Sequence, residues 1–261
     1  MNKFNIENEE LDLVIWRYMD LSKFIDFMGN SNLFLPSIDS FEDKFEGVHN
    51  SIGKNDFFDI TNEGKIIRIN KATNDRQRGL SDDLKKTLVL FTNQIRKAVG
   101  VSCWRLSNHE SHAMWKVYLS SNEGVAIKTK ISTLVNNIDL SDDKLKIGIG
   151  KVKYIDYSSE KIPIDYVFNP IFYKNNYFEH EKELRLIAYK IADINKELHL
   201  PENFSPLENK GIKVNVDYKS VIEEVVVSPY APEWFYKLIK KISNEKYNLD
   251  VPITWSLIEL N

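Results

Sequence analysis

Between Tyr177 and Ile187 the chain reads YFEHEKELRLI, with Glu179, Glu181, Glu183 and Arg185 at alternate positions as the segment turns apolar. Alternate side chains of an extended strand share one face. The spacing therefore predicts a strand that lines one surface with four charged groups while Leu184, Leu186 and Ala188 enter a core. Carboxylates crowded on one face repel unless a cation or a reaction uses them. Two readings stay open on this stretch alone: a solvated edge strand kept soluble by charge, or a functional surface.

The remaining pattern asks for a sheet around that strand. LVIWRYM (Leu13–Met19), VSCWR (Val101–Arg105), GVAIKT (Gly124–Thr129), Val221–Ser228 and Ile253–Ile258 are rich in β-branched and aromatic residues and read as strands. Ile147–Tyr157 reads as a strand broken by Gly148 and Gly150. Helices are predicted from Ser22 to Met28, from Ser81 to Val99, from Ser111 to Leu119 and from Pro232 to about Ser243. Strands dominate and no regular βαβ alternation appears. The expected fold is α+β with a mixed or antiparallel sheet core and helices between the early strands. Residues 1–261 read as a single domain, with an insertion or lid of low regular content at about 50–78.

Composition narrows the function classes. A net charge of −3 gives no global attraction to nucleic acid or anionic lipid. One cysteine, Cys103, excludes an internal disulfide and a cysteine-rich zinc site. No apolar run approaches a membrane span and the polar, acidic start resembles no targeting signal, so a cytoplasmic protein without a membrane partner is expected. The chain lacks a phosphate-binding loop, a dinucleotide fingerprint and a GxSxG elbow. His109 and His112 fall one helical turn apart around Glu110, which reads as a polar helix start beside Trp115 rather than a metal site. Cys103 reads as an inert core thiol. Arg17, amid strand residues, must either pair with a carboxylate near Glu181 or hold an anion in its planar fork. Asp43 and Glu46, in the acidic loop FEDKFEG, read as turn caps ahead of a role facing a substrate.

The order WRYMDLSKFIDFM, NLFLPSIDSFEDKFEG, VSCW, MWKVY, EGVAI, Tyr177–Arg185 and VVVSPYAPEW resembles the bacterial family called domain of unknown function 2971, over nearly the whole chain. A second likeness is to the ADP-ribosyltransferase superfamily. There a polar residue on an opening strand, a Ser-centred motif on a central strand and a later Glu-x-Glu build the site. Here Arg17 with Tyr18, then Val101-Ser102-Cys103, then Glu181-Lys182-Glu183 match in that order, with Ser-Cys-Trp standing where Ser-x-Ser is usual. The resemblance implies an ADP-ribosyltransferase-like fold and NAD⁺ as the substrate cofactor. Glu183, Glu181 and Arg17 would form the catalytic set, and Arg17, Tyr18, Ser102, Trp104, Trp115 and Tyr118 would hold the dinucleotide, with no metal. Glu183 would face the charge developing on the ribose, Glu181 would orient or deprotonate the acceptor, Ser102 would hold Glu183 or the ribose, and Arg185 would keep the carboxylates ionised. It also implies a toxin or phage-defence effector acting on a macromolecular acceptor, alongside a defence-system partner protein. Two other classes remain: a non-catalytic sensor or binding module, and a metal-assisted nuclease using Asp43, Glu46, Glu181 and Glu183.

Overall fold

A computed structural model describes residues 1–43, 46–48, 57–60, 66–69, 90, 92–163, 166–190 and 205–259. Its strands are β1 (Asn2–Phe4), β2 (Val14–Asp20), β3 (Asn32–Pro36), β4 (Phe57–Ile60), β5 (Ile66–Ile69), β6 (Gly100–Leu106), β7 (Gly124–Lys130), β8 (Leu145–Lys151), β9 (Lys153–Ile155), β10 (Tyr173–Asn175), β11 (Glu183–Lys190), β12 (Gly211–Asn215), β13 (Glu224–Val227) and β14 (Ile253–Trp255). Helix α1 (Leu21–Asn30) precedes the helical residues 92–98, here α2, which are followed by α3 (His112–Tyr118), α4 (Ile131–Asn136), α5 (Tyr218–Val221) and α6 (Glu233–Lys241).

Eight strands form the main sheet in the order β1-β8-β11-β6-β2-β7-β13-β14. Every internal pairing is antiparallel, and the two edge strands, β1 on β8 and β14 on β13, pair in parallel. The α+β class with a mostly antiparallel sheet is thus the observed one. Of the stretch 50–78, residues 57–60 and 66–69 pair as a two-stranded antiparallel unit. The rest of that proposed insertion, and the helix start expected at Ser81, lie outside the described residues.

One face of the sheet carries the main core. Ile15 and Met19 of β2, Val125 and Ile127 of β7, Leu184 and Leu186 of β11 and Val225 of β13 meet Phe24 and Phe27 of α1, Ile131 and Leu134 of α4, Val221 of α5 and Phe235 and Ile239 of α6. Each of these helices is short, so its stability comes from this buried apolar face rather than from length. The other face is divided. One apolar cluster, including Ile95, Val101, Phe168, Phe172 and Ile187, covers the β6–β11 half. A second, with Trp16, Tyr18, Met114, Trp115, Ala126 and Val226, covers the β2–β7–β13 half. Between them runs a polar zone, and beneath it the sheet opens: β2 pairs with β6 only at Ile15↔Leu106 and Trp16↔Arg105, then continues beside β7 alone.

Three local expectations are corrected. Gly148 and Gly150 do not interrupt their strand, because β8 is paired on both sides, to β1 and β11; the break falls at Val152 instead. Helix α1 does not stop at Met28 but runs to Asn30 and is closed by Ser31, which takes the left-handed backbone at φ 49°. Glu179 and Glu181 are not strand residues: Asn176–Glu181 forms a 3-10 turn, and β11 begins at Glu183.

Candidate functional site

The polar zone is a buried cluster of five ionisable side chains, Glu46, Lys174, Glu181, Glu183 and Arg185. Lys174 reaches Glu181 Oε2 at 2.8 Å, Glu46 Oε1 at 3.1 Å and Glu183 Oε1 at 3.2 Å. Arg185 donates from Nε to Glu183 Oε2 at 2.5 Å and from Nη1 and Nη2 to Glu46 at 2.9 and 3.0 Å. Its Nη1 also donates to the carbonyl of Ile171 at 2.7 Å. All five side chains are buried, Arg185 completely. Buried charges persist only when paired and hydrogen-bonded, and the cluster meets that condition from four separate segments of chain.

The carboxylates come together through one backbone turn. Lys182 adopts φ 47°, ψ 52°, the left-handed C-cap of the 3-10 turn. That conformation is uncommon for a residue with a side chain. It folds the chain back so that Glu181, at the end of the turn, lies beside Glu183, at the start of the strand. Sequence alternation arrives at the same neighbours by a different geometry. Glu179, within the 3-10 turn, is not part of the cluster.

The two carboxyls hold protons differently. Burial pushes Glu181 up to about 8, and its hydrogen bond to Glu183 adds to the shift. Burial opposes ionisation of Glu183 as well, but the Arg185 guanidinium, the hydrogen bond from Glu181 and the Lys174 ammonium outweigh it and hold this carboxyl well below the usual range. At neutral pH one carboxyl therefore carries a proton and its neighbour does not, the division of labour found where paired acids do acid–base work.

Glu181 and Glu183 border a cavity of about 10 Å³. Its other walls are Trp16 and Tyr18 of β2, Cys103, Trp104 and Arg105 of β6, and Met114 and Tyr118 of α3. That volume admits about one water molecule. Burial raises the Tyr118 phenol far above its ordinary range, and the neighbouring Cys103, Glu183 and Glu181 add to it. The Cys103 thiol is also pushed up by burial, with Glu183 next in effect, so it stays protonated and unreactive at neutral pH.

The other residues expected at the site separate from this pair by register. Cross-strand partners share a face, and Ser102 stands opposite Leu186 whereas Glu183 stands opposite Arg105. Ser102 thus projects from the face opposite Glu183 and does not hold it; Lys174 and Arg185 do. On that first face Arg17 donates to Ser102 Oγ, which also accepts from Trp104 Nε1 at 3.0 Å. The guanidinium lies 5.7 Å from the centroid of the Trp104 ring. No carboxylate among the described residues pairs with Arg17, and burial lowers its pKa to about 10. The structural ion pair with a carboxylate near Glu181 is absent from the described residues. Arg17 and Ser102 do not line the cavity, and neither does Trp115, whose ring meets Tyr18 edge-on at 4.8 Å while its Nε1 donates to Glu110 Oε2 at 3.0 Å.

Glu46 corrects another expectation. It is no turn cap but a buried bidentate partner of Arg185. His109 and His112 also part company: His112 Nε2 is 2.6 Å from the Tyr230 hydroxyl, while the His109 backbone N–H donates to Ser107. Glu110 instead accepts from Ser256 Oγ and the Leu257 N–H, each at 2.6 Å, and so fastens the segment after β14 to the start of α3. Lys174 and Arg105 escaped notice in the sequence. A lysine inside the aromatic run IFYKNNYF was the available signal, because an ammonium among buried rings needs carboxylate partners.

Among the described residues no helix is long and apolar enough to cross a membrane. No family model, curated protein or solved structure matches the chain.

Proposed function

We propose that the chain is an ADP-ribosyltransferase-like enzyme that cleaves the nicotinamide–ribose bond of NAD⁺ and passes ADP-ribose to a macromolecule or to water. The observation that carries this reading is the Glu181–Glu183 pair, one carboxyl protonated and one ionised, on the wall of a cavity bordered by aromatic rings. When the bond breaks, its electron pair returns to the pyridinium nitrogen, neutral nicotinamide leaves and positive charge develops on the ribose, as in glycoside cleavage. Glu183 is the fixed anion that faces this charge. Below about pH 8 Glu181 keeps its proton and orients the acceptor by hydrogen bonding; above it, Glu181 accepts the acceptor's proton. Arg17 and Ser102 lie on the opposite face of the sheet from Glu183 and outside the cavity, so the expected hold of Arg17 on the pyrophosphate is not part of this reading. Tyr18 and Tyr118 supply rings for the nicotinamide, whereas the Trp104 ring lies with Arg17 and Ser102 on the other face of the sheet.

The order β2, α1, β3, with β6 central and the Glu-x-Glu at the turn that enters β11, supports an ADP-ribosyltransferase-like arrangement of the sheet. The setting that accompanies it is a bacterial toxin or phage-defence effector. A dinucleotide enters only if the walls part, since the cavity holds about one water.

A second reading, a non-catalytic sensor or binding module of a defence system, is favoured by that same small volume and by the saturation of Glu46, Glu183 and Arg185 with mutual partners. The nuclease reading is weakened because the Lys174 ammonium already stands where Glu46, Glu181 and Glu183 would hold a divalent ion. Incubation with NAD⁺ separates the first two. Glu183→Gln is expected to lower nicotinamide release at least about 100-fold while circular dichroism stays that of the folded protein. Nucleotide binding without turnover, unaffected by that substitution, would establish the binding module instead.

A further inference from the structure

Lys174 sits in the middle of β10, a strand of three residues that pairs with β9. Its ammonium has three hydrogens and meets three carboxylates, all within 3.2 Å. It also lies 4.5 Å from the centroid of the Phe178 ring, on the turn that ends in Glu181. Arg185 serves Glu46 and Glu183. Lys174 alone among the described residues forms an ion pair with Glu181 and also reaches Glu183.

We infer that Lys174 is the positioning residue of the site, a built-in cation that sets both the spacing and the proton content of the Glu181–Glu183 pair. This inference rests on the proposed role of that pair. The charges that face the ammonium come from distinct elements: Glu46 from the acidic loop, Glu181 from the 3-10 turn, Glu183 and Arg185 from β11. Cys103 of β6, Tyr118 of α3, Tyr154 of β9 and the nearby Tyr157 add neutral polar groups around the carboxylates, each with its ionisation opposed by burial. With the ammonium in place, three carboxylates face two cations, so a single retained proton makes the cluster neutral. Without it, three carboxylates face one guanidinium, and a second proton must be bound to restore neutrality in so buried a place. Glu183 then competes for that proton, and the fixed anion opposite the ribose is lost.

The test begins on the full chain without substrate. Carboxyl carbons of ¹³C-labelled glutamate are titrated from pH 5 to 10 in wild type, Lys174→Met and Glu46→Gln. In wild type one carboxyl is expected to titrate near 8. Lys174→Met should retain a second protonated carboxyl at pH 7. Glu46→Gln, which leaves fewer acids around the same ammonium, should move the Glu181 titration the opposite way, to lower pH, and this arm decides the matter if Lys174→Met does not fold. A proton count in Lys174→Met equal to wild type, or an unmoved Glu181 titration in Glu46→Gln, overturns the inference.

NAD⁺ cleavage forms the second arm. Lys174→Ala should lose on the order of 100-fold in kcat at pH 7, with little change in KM, and methylammonium should restore part of it, whereas loss without rescue counts against positioning. If wild type cleaves no NAD⁺ at any pH, the proposed function fails while the carboxyl titrations still decide the role of Lys174.

Discussion

Strand β6 has an arginine to each side, and the two are held in opposite ways. Arg185, completely buried, makes bonds to Glu183, Glu46 and the Ile171 carbonyl. Burial works against its charge, but Glu183 and Glu46 more than offset this and keep it firmly protonated. Arg17, on the opposite face, has a hydroxyl and an indole ring where Arg185 has carboxylates, and burial lowers its pKa to about 10. A guanidinium whose donors are filled by acids holds chain segments together. One held by a hydroxyl and a ring keeps its charge without a neutralising partner, and burial then works against it. The contrast sets a saturated ionic network on one side of the strand against a guanidinium with no carboxylate partner among the described residues on the other.

The largest expected break in this contrast is Arg185→Met. It leaves Glu46 and Glu183 facing Lys174 alone, and removing one partner of a buried ionic network costs about 3–5 kcal/mol; urea unfolding measures it. A loss under 1 kcal/mol would mean that the cluster contributes no structure.

Glu181→Gln has a smaller, pH-dependent effect. Because the folded-state pKa of Glu181 is raised to about 8, its contribution to stability is complete below its ordinary value of 4.5 and is lost as pH rises through 8. Glu183, held low, has the opposite sign and loses its contribution only in strong acid. Glutamine fixes the neutral form, so the variant should gain on wild type by roughly 1–3 kcal/mol between pH 6 and 9. Denaturant midpoints at the two pH values report the gain, and any rise of NAD⁺ cleavage through pH 8 should vanish in the same variant.

Arg17→Met should change stability by less than about 1 kcal/mol in either direction, since it breaks no carboxylate pair among the described residues. Calorimetry with inorganic pyrophosphate tests the anion-holding reading, in which wild type binds and the variant loses affinity. A large stability loss with binding intact would reverse the roles assigned to the two arginines.

The sheet was legible where its strands are internal. LVIWRYM, VSCWR and GVAIKT announce β2, β6 and β7 because the apolar residues follow the buried faces, whereas of Val221–Ser228 only Glu224–Val227 is strand, since Val221 closes α5. β1 and β12 were not legible: Asn2–Phe4 and Gly211–Asn215 are short strands supported by their pairing with β8 and β3 rather than by composition. The Glu-x-Glu pair was found by spacing, yet the side chains meet only because Lys182 turns left-handed, a conformation that lysine does not signal. Glu46 was hidden for another reason, since its partner Arg185 lies 139 residues away. The order of Arg17, Ser102 and Glu183 along the chain was plain, but the face each occupies depends on register, and Ser102 opposite Leu186 decides it.

The tightness of the chamber between β2, β6 and α3 bears on kinetics. The cavity has room for about one water, so on the proposed function a dinucleotide is captured only after its walls part, and the frequency of that opening, rather than of collision, would set the speed. In rapid mixing, the observed rate should climb with ligand concentration and then level off at the opening rate.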